Sequence, residues 1–249
     1  MAVFIKNDEQ ISFMRTASKV CAKAHEMLEK HIRPGITTGE LNDIAEDFIR
    51  SNDCKPSFLG YRGFPAAICT SVNNEVIHGI PGLRKLVSGD IISIDIGVCY
   101  KRFHGDAART FAVGEVDELH RKLIDVTEQA FFEGAKKCTE KNRLHDISNS
   151  IDDYVKPFGF GIVEEWCGHG VGRQVHEDPQ IPHTRQEKRG SKIRAGMTLA
   201  IEPMVNAGTH EIFMTDDTWT VITKDGLYSA HYENTVLITD GEPEILTIV

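Results

Sequence analysis

The sequence predicts an α+β protein made of two related halves around antiparallel strands. Three observations predict it. Apolar residues at helical spacing mark two helices followed by short strand-like runs, and the same order begins again near Asp117. Short segments of the second half repeat patterns of the first. The first half closes on residues 93–111, SIDIGVCYKRFHGDAARTF, which read as a β-hairpin carrying two carboxylates, Asp95 and Asp106.

Taken in order, Asp8 is placed to cap a helix whose apolar positions Ile11, Met14, Ala17, Cys21, Ala24 and Leu28 step by three and four. Pro34-Gly35 ends it. Thr37 and Glu40 have capping-box spacing ahead of a second helix with the inner stripe Leu41, Ile44, Ala45, Phe48 and Ile49, which Asn52-Asp53 closes. Strands are expected at 66–71, 75–78, 90–99 and 106–113, where apolar runs are broken by Gly and Pro. A third helix carries Leu119, Leu123, Val126 and Ala130, and a fourth carries Ile147, Ile151, Tyr154, Val155 and Phe158. Lys224-Asp225-Gly226 is expected to return 219–223 into 227–238 as a tight turn.

Within the hairpin, Ile92, Ile94, Ile96 and Val98 share one face, and Asp95 faces the other way beside Ser93 and Gly97. A two-residue reversal at Tyr100-Lys101 would set Asp95 directly across from Asp106, where like charges repel. Tyr100-Lys101-Arg102 suits a type I′ turn poorly, so a longer loop, or a bulge at Gly97 or Gly105, is expected.

Composition narrows the class. The chain has 249 residues, 41% of them hydrophobic, enough for a sizeable core. Its 37 acidic and 28 basic residues give −9, which offers no bulk attraction for nucleic acid or an anionic membrane. The N-terminus has no apolar run of signal-peptide length, and nowhere do eighteen apolar residues follow one another, so a cytoplasmic location is expected. The six cysteines form no C-x-x-C pair and read as reduced, mostly buried thiols. No linker or low-complexity segment separates the halves, which predicts one domain over 1–249 with internal halves of about 1–114 and 115–249.

The internal echo is what points to a site. Leu41-Asn42-Asp43-Ile44 is answered by Leu144-His145-Asp146-Ile147, and His78-Gly79-Ile80 by His169-Gly170-Val171. More tellingly, Gly89 to Asp95 (GDIISID) is answered by Gly196 to Glu202 (GMTLAIE), and His104-Gly105-Asp106 by His231-Tyr232-Glu233. Related halves would bring these four acids together at a pseudo-twofold axis. Ionised acids without matching basic residues need a partner in a dry interior, and a metal supplies one. The imidazoles placed to join are His78, His104, His169, His176 and His231. Such an oxygen-rich set with one or two imidazoles suits Mn²⁺, Fe²⁺, Co²⁺ or Zn²⁺, and four acids can hold two ions.

Each group also has an ordinary reading. A strand-end aspartate is commonly a turn or cap residue, and a histidine in a Gly-rich loop is commonly a surface or hydrogen-bonding one. Glu202 resists that reading, because it stands between the apolar run 197–201 and Pro203, an awkward place for a charge without a purpose. Repetition in both halves weighs further toward a site.

The motifs Glu75-Val76-Ile77-His78-Gly79-Ile80-Pro81, Asp95 with Phe103-His104-Gly105-Asp106-Ala107-Ala108-Arg109-Thr110, Cys167-Gly168-His169-Gly170-Val171-Gly172, Thr198-Leu199-Ala200-Ile201-Glu202-Pro203-Met204 and Tyr232-Glu233-Asn234-Thr235 together resemble the type I methionine aminopeptidases. The resemblance spans essentially the whole chain, in a minimal bacterial-style form. It implies the pita-bread (creatinase/aminopeptidase) fold, two pseudo-symmetric αβ halves around an antiparallel sheet forming a single catalytic domain. It also implies a dinuclear site with Asp95, Asp106, His169, Glu202 and Glu233 as ligands for two divalent ions (Co, Mn, Fe or Zn). The echo alone treats His78 and His169 alike; the resemblance selects His169.

The implied chemistry is removal of the initiator methionine from nascent chains whose second residue is small. The metals would activate water and polarise the scissile carbonyl. Glu202 would take and return the proton, His176 would hydrogen-bond the developing oxyanion, and His78 the leaving peptide nitrogen. The resemblance implies a methionine pocket walled by Phe58, Tyr61, Phe64, Cys69, Val175 and Trp219, roomier at Val175, where a larger residue is expected. The partners implied are N-terminal Met peptides and a transient ribosome contact, with no specific nucleic-acid recognition and no membrane, and a monomer is expected. The chain's own Ala2 makes Met1 a substrate. Two rivals are an X-Pro aminopeptidase or prolidase-like metallopeptidase, whose relatives usually carry an added N-terminal domain, and a non-catalytic binding protein on the same fold, which would be expected to have lost ligands.

Overall fold

In a computed structural model, which describes residues 3–248, the chain begins with helices α1 (Asp8–Glu29) and α2 (Thr38–Ser51). Strands β1 (Lys55–Pro56), β2 (Cys69–Val72), β3 (Glu75–Ile77), β4 (Ile91–Tyr100) and β5 (Phe103–Ala112) follow. Two more helices, α3 (Glu118–Ala135) and α4 (Leu144–Val155), lead into β6 (Gly161–Ile162), β7 (Gly168–Gly170), β8 (Glu177–Ile181), β9 (Thr198–Ile201) and β10 (Met204–Asn206). The last strands are β11 (Ile212–Met214), β12 (Val221–Thr223), β13 (Ser229–His231), β14 (Asn234–Leu237) and β15 (Glu244–Ile245).

The helix starts follow from their caps. Asn7, one residue before the expected Asp8, caps α1 and completes a capping box with Gln10. At α2 the Thr37 hydroxyl accepts from Glu40 N at 3.1 Å while Thr37 N donates to the Glu40 carboxylate at 2.8 Å. Asp117 caps α3 by accepting from His120 N at 2.8 Å. The expected inner stripe of α1 is buried throughout, whereas Ile44 and Phe48 of α2 are only partly covered. Leu119 is a correction: it is 49% exposed at the start of α3, and the buried face begins at Leu123. Phe158 lies beyond α4, in a short 3₁₀ turn.

Strand β4 is the axis of the first sheet. Strand β5 runs along one edge of it, and β2 and β1 follow one another along the other. Its inward residues Ile92, Ile94, Ile96 and Val98 pack beneath α1 and α2 in one core. A second core joins α3 and α4 to Leu199, Ile201, Val205, Val236 and Ile238, on a five-stranded sheet of order β15-β14-β9-β7-β8 and a three-stranded one of order β13-β10-β6. A third small sheet has the order β11-β12-β3.

Three expectations about the strands are corrected. Strand β2 begins at Cys69 rather than residue 66, because the Asn42 side chain of α2 takes the Ala67 and Ile68 N–H groups at 2.8 and 3.4 Å. The segments on either side of Lys224-Asp225-Gly226 do not pair with each other. Thr223 N and Ser229 N donate instead to the carbonyls of Asn74 and Asn73, at 2.9 and 2.8 Å, so the β2–β3 turn sits between them, and β12 joins β3 while β13 joins β10.

The hairpin register is the third. Strands β4 and β5 pair without a bulge from Ile91↔Ala112 to Tyr100↔Phe103, so the loop is Lys101-Arg102 and Asp95 faces Ala108, while Asp106 faces Gly97. Both loop residues have left-handed φ, 47° and 69°, the backbone of a tight type I′-like reversal made without Gly or Asn. The Lys101 ammonium lies 4.7 Å from the Phe13 ring centroid, which helps to hold it there. Gly97 and Gly105 serve close approach rather than bulges. A Cβ at Gly105 would lie 2.4 Å from Ser18 Oγ of α1, and one at Gly97 would lie 2.7 Å from the Phe58 ring.

The two sheet systems meet where β5 lies beside the start of β14. Glu233 N donates to Ala108 O at 2.9 Å, Asp106 N donates to the Thr235 hydroxyl at 2.9 Å, and Thr235 Oγ1 lies 2.9 Å from Asp106 O. Because Arg102 holds φ 69° at a steric cost of roughly 1–2 kcal/mol for a residue with a Cβ, Arg102→Gly is expected to raise stability by about 1 kcal/mol. An increased urea midpoint at unchanged m would be the measurement.

Candidate metal centre and substrate cavity

Strand geometry brings the four predicted acids together. Asp95 and Asp106 sit on adjacent strands two residue pairs apart, on the same face, since the corrected register preserves the parity of the expected one. Glu202 immediately follows β9 and Glu233 immediately precedes β14, next to the paired residues Ile201 and Asn234. His169 enters from β7, paired with Ala200 of β9.

The site is rich in acids sheltered from solvent, Asp106 and Glu233 buried and Asp95 and Glu202 partly so. Asp106, Glu233 and His169 are 3, 2 and 8% exposed. Oδ1 of Asp95, Oδ1 of Asp106 and Oε1 of Glu233 are buried and accept no hydrogen bond. Among the described residues, no Lys or Arg forms an ion pair with any of the four acids. The Arg109 guanidinium acts on Glu233 through space, but it donates to the backbone carbonyls of Ala108, Glu233 and Thr247 and to the Asn234 side chain.

Burial therefore raises every carboxylate. Asp95 moves up to about 7, and burial then Asp95 and Glu202 push Asp106 well above its ordinary value. Glu202 and Glu233 are raised likewise, by burial first and, for Glu233, by the neighbouring acids. The histidines move the other way. Burial lowers His169 to about 3 and His78, His176 and His231 to about 4, so all four are neutral near pH 7.

A divalent cation fits this donor set. One oxygen or nitrogen each from Asp106, His169 and Glu233 lie within 4.8 Å of one another, and the same holds for Glu202, His231 and Glu233. His169 Nδ1 lies 2.9 Å from the Gly170 carbonyl, which can only accept, so the proton is on Nδ1 and the Nε2 lone pair faces Glu202 Oε1 at 3.3 Å. The unpartnered carboxylate oxygens are the positions an ion would satisfy.

The acids floor a cavity of about 1010 Å³. His78 and His176 stand on its walls with Phe58, Tyr61, Phe64, Cys69 and Trp219. His176 Nδ1 is hydrogen-bonded to the Tyr61 hydroxyl at 3.0 Å, and its ring centroid lies 4.3 Å from that of His169. His78 follows β3 with φ 60° and stands edge-on to Trp166 at 5.0 Å. Phe58, Phe64, Cys69 and Val175 form one apolar cluster against Trp219, whose ring meets Phe64 edge-on at 5.1 Å. Val175 packs in that cluster but does not line the cavity. Burial, and then Asp95, hold the Cys69 thiol protonated.

Several residues in or behind the cavity wall were given no role by the sequence. Lys6 and Glu177 form a buried ion pair at 2.8 Å beside the cavity, although 171 residues separate them. His183, 1% exposed, sits behind Glu202 with Nε2 3.4 Å from its backbone N. Trp166 and Phe103 complete the wall. Only the last two carried a signal, Phe103 as the aromatic that opens a recognised motif and Trp166 as the one that precedes another. His104, which the sequence placed among possible ligands, instead bonds Ser57 Oγ at 2.8 Å through Nδ1.

The model of metallopeptidase family M24 matches residues 12–240. The chain is 53% identical over 247 residues to a methionine aminopeptidase of Clostridium perfringens, with 99% of each chain covered. It is 47% identical over 247 residues to methionine aminopeptidase 1 of Bacillus subtilis, covering 99% of this chain and 100% of that one. The chain belongs to the methionine aminopeptidases of family M24. A crystal structure of the methionine aminopeptidase from Thermotoga maritima superposes with a TM-score of 0.97 at 41% identity over the full length of both chains. A prolidase from Pyrococcus furiosus, 23% identical with a TM-score of 0.80 over 98% of this chain and 65% of that one, shares the fold. The architecture of this methionine aminopeptidase is therefore the α+β pita-bread fold, and its family uses divalent metal.

The buried carboxylates set a pH dependence for the metal-free protein. Their folded pKa values lie above the unfolded ones, so the stability they confer is complete below about pH 4 and is lost as pH rises through the folded values. The lowered histidines act oppositely, and their contribution to the pH slope fades only about one pH unit above 6.5, their midpoint in the unfolded chain. Metal-free protein is thus expected to lose stability as pH rises above about 7.5. Excess Mn²⁺ or Co²⁺ should abolish that slope, as thermal melts at fixed ionic strength would show.

Proposed function

We propose that the chain is a dinuclear metal-dependent aminopeptidase that removes the initiator methionine from nascent proteins when the second residue is small. The observation that carries this reading is a floor of four acids, three of them with a buried oxygen that has no hydrogen-bond partner, beneath an apolar, aromatic cavity in a chain whose relatives are methionine aminopeptidases. Asp95, Asp106, His169, Glu202 and Glu233 hold two divalent ions of the Co, Mn, Fe or Zn class. Ions bound there supply Lewis acidity and make water nucleophilic near neutral pH.

The chain's own groups perform the rest. Glu202, at the cavity floor between two imidazoles, takes a proton from the attacking water and returns it to the leaving amine. With the Tyr61 hydroxyl donating to His176 Nδ1, the proton of the neutral ring stands on Nε2, where it donates to the developing oxyanion. His78, held by the edge of Trp166, hydrogen-bonds the leaving peptide nitrogen. Phe58, Phe64, Cys69 and Trp219 receive the methionine side chain, with Tyr61 at the rim and Val175 behind them.

The chain forms one catalytic domain, with a core in each half supporting the division near residue 114. Work on nascent chains would place it in the cytoplasm with a transient ribosome contact, and we propose that it acts as a monomer. Met-Ala-Ser should release methionine while X-Pro peptides remain intact, which separates this reading from a prolidase-like one. Glu202→Gln, with its metal content measured, should lower kcat by about 10²–10⁴-fold; near-normal turnover in metal-loaded variant would overturn the assignment. Met1 and Ala2 lie outside the described residues, but the second residue is small, so intact-mass analysis of active protein should find Met1 removed.

A further inference from the structure

Glu202 has an imidazole on each side. His169 Nε2 lies 3.3 Å from Glu202 Oε1, and His231 Nε2 lies 3.5 Å from Glu202 Oε2. The ligand set implied by family resemblance uses the first imidazole and leaves the second without a task. His231 is 2% exposed, and its Nε2 makes no hydrogen bond at all. A buried ring nitrogen left without a partner is costly and calls for an explanation. Simple hydrogen bonding to Glu202 does not provide it, since the separation and geometry fall short of a bond.

The residue is also held firmly. His231 pairs with Met204 in the β10–β13 ladder, and its N–H donates to Thr110 Oγ1 at 2.9 Å. The Thr110 hydroxyl lies 2.8 Å from His231 O. Both flanks of the ring's backbone are thereby fixed, which is the support a metal-ligating side chain needs. Two three-donor groups share Glu233: Asp106 and His169 on one side, Glu202 and His231 on the other, each group within 4.8 Å.

We propose that His231 Nε2 is a sixth protein donor to the metal centre, ligating an ion together with Glu202 and Glu233. This rests on the reading that the four acids hold divalent ions, and it extends the implied set of five ligands by a second imidazole. An added nitrogen donor shifts the centre's preference toward Co²⁺, Fe²⁺ and Zn²⁺ relative to Mn²⁺.

The test uses metal-free protein titrated with Co²⁺, followed by calorimetry, visible absorption and proton NMR. Wild type should show two imidazole N–H resonances carrying the large hyperfine shifts of directly ligated rings. His231→Gln should lose one of them and weaken one ion by roughly tenfold or more, with a smaller loss for Mn²⁺. His169→Gln should remove the other resonance. A single hyperfine-shifted imidazole in the wild type overturns the proposal without needing the variant to fold. Unchanged Co²⁺ affinity and spectrum in folded His231→Gln overturns it as well. Wild type that binds no divalent ion would instead overturn the underlying reading, and this inference with it.

Discussion

The structure depends on an unbalanced charge. Four carboxylates converge on the floor of the cavity, and among the described residues no Lys or Arg forms an ion pair with them, so in isolation burial drives each toward its protonated form. A protein that only needed a stable core would not keep such a group, since apolar residues of similar volume would do at least as well. The energetic penalty makes sense when a cation completes the site, because the desolvation that disfavours free carboxylates also strengthens their attraction for an ion.

The architecture can be read as the means of holding these acids in place. Asp95 and Asp106 are on the regular part of a ten-pair ladder, and α1 presses on that hairpin so closely that Gly105 has no room for a side chain. Glu202 and Glu233 stand at the end of a second ladder. The junction between them uses backbone groups and Thr235, and Arg109 spends its donors there rather than on the acids. A guanidinium turned toward Glu233 would have neutralised the site; bonded to carbonyls, it joins the two sheets and leaves the negative charge for a metal. The walls, by contrast, come from loops and strand ends: Tyr61 and Phe64 from the segment after β1, Trp219 from the approach to β12. A rigid floor with walls drawn from connecting segments is the usual division between chemistry and specificity.

Much of this was legible because it rests on local periodicity. The four helices, the hairpin and the capping box at Thr37 all follow from spacing that any window of the chain displays. The internal echo went further, since it related Glu202 and Glu233 to Asp95 and Asp106 before any contact was known, and parity kept the two aspartates on one face although the counted register was wrong. That register placed the two-residue loop one position early, at Tyr100-Lys101, and the longer loop or bulge expected from turn chemistry does not form, because the strands' ten pairs and the Phe13 ring outweigh the strain of left-handed Lys101 and Arg102. Leu119 differs too: its helical phase is compatible with the inner stripe, but it lies in the first turn of α3, ahead of the buried face that begins at Leu123.

By itself, then, the sequence determined the fold class, the order of elements, the repeated carboxylates and the family, because each is written in residue types at fixed separations. Tertiary structure decided what depends on distant segments meeting. It paired Lys6 with Glu177, set His183 behind Glu202, turned His104 toward Ser57 and sent β12 and β13 to different sheets through the Asn73-Asn74 turn. It also distinguished histidines that the sequence could not, leaving His169 with a lone pair aimed at the acids and His231 with an unpartnered nitrogen beside Glu202. The physical reason is that a side chain's charge state and bonding are set by what surrounds it in three dimensions, and those neighbours come from all parts of the chain.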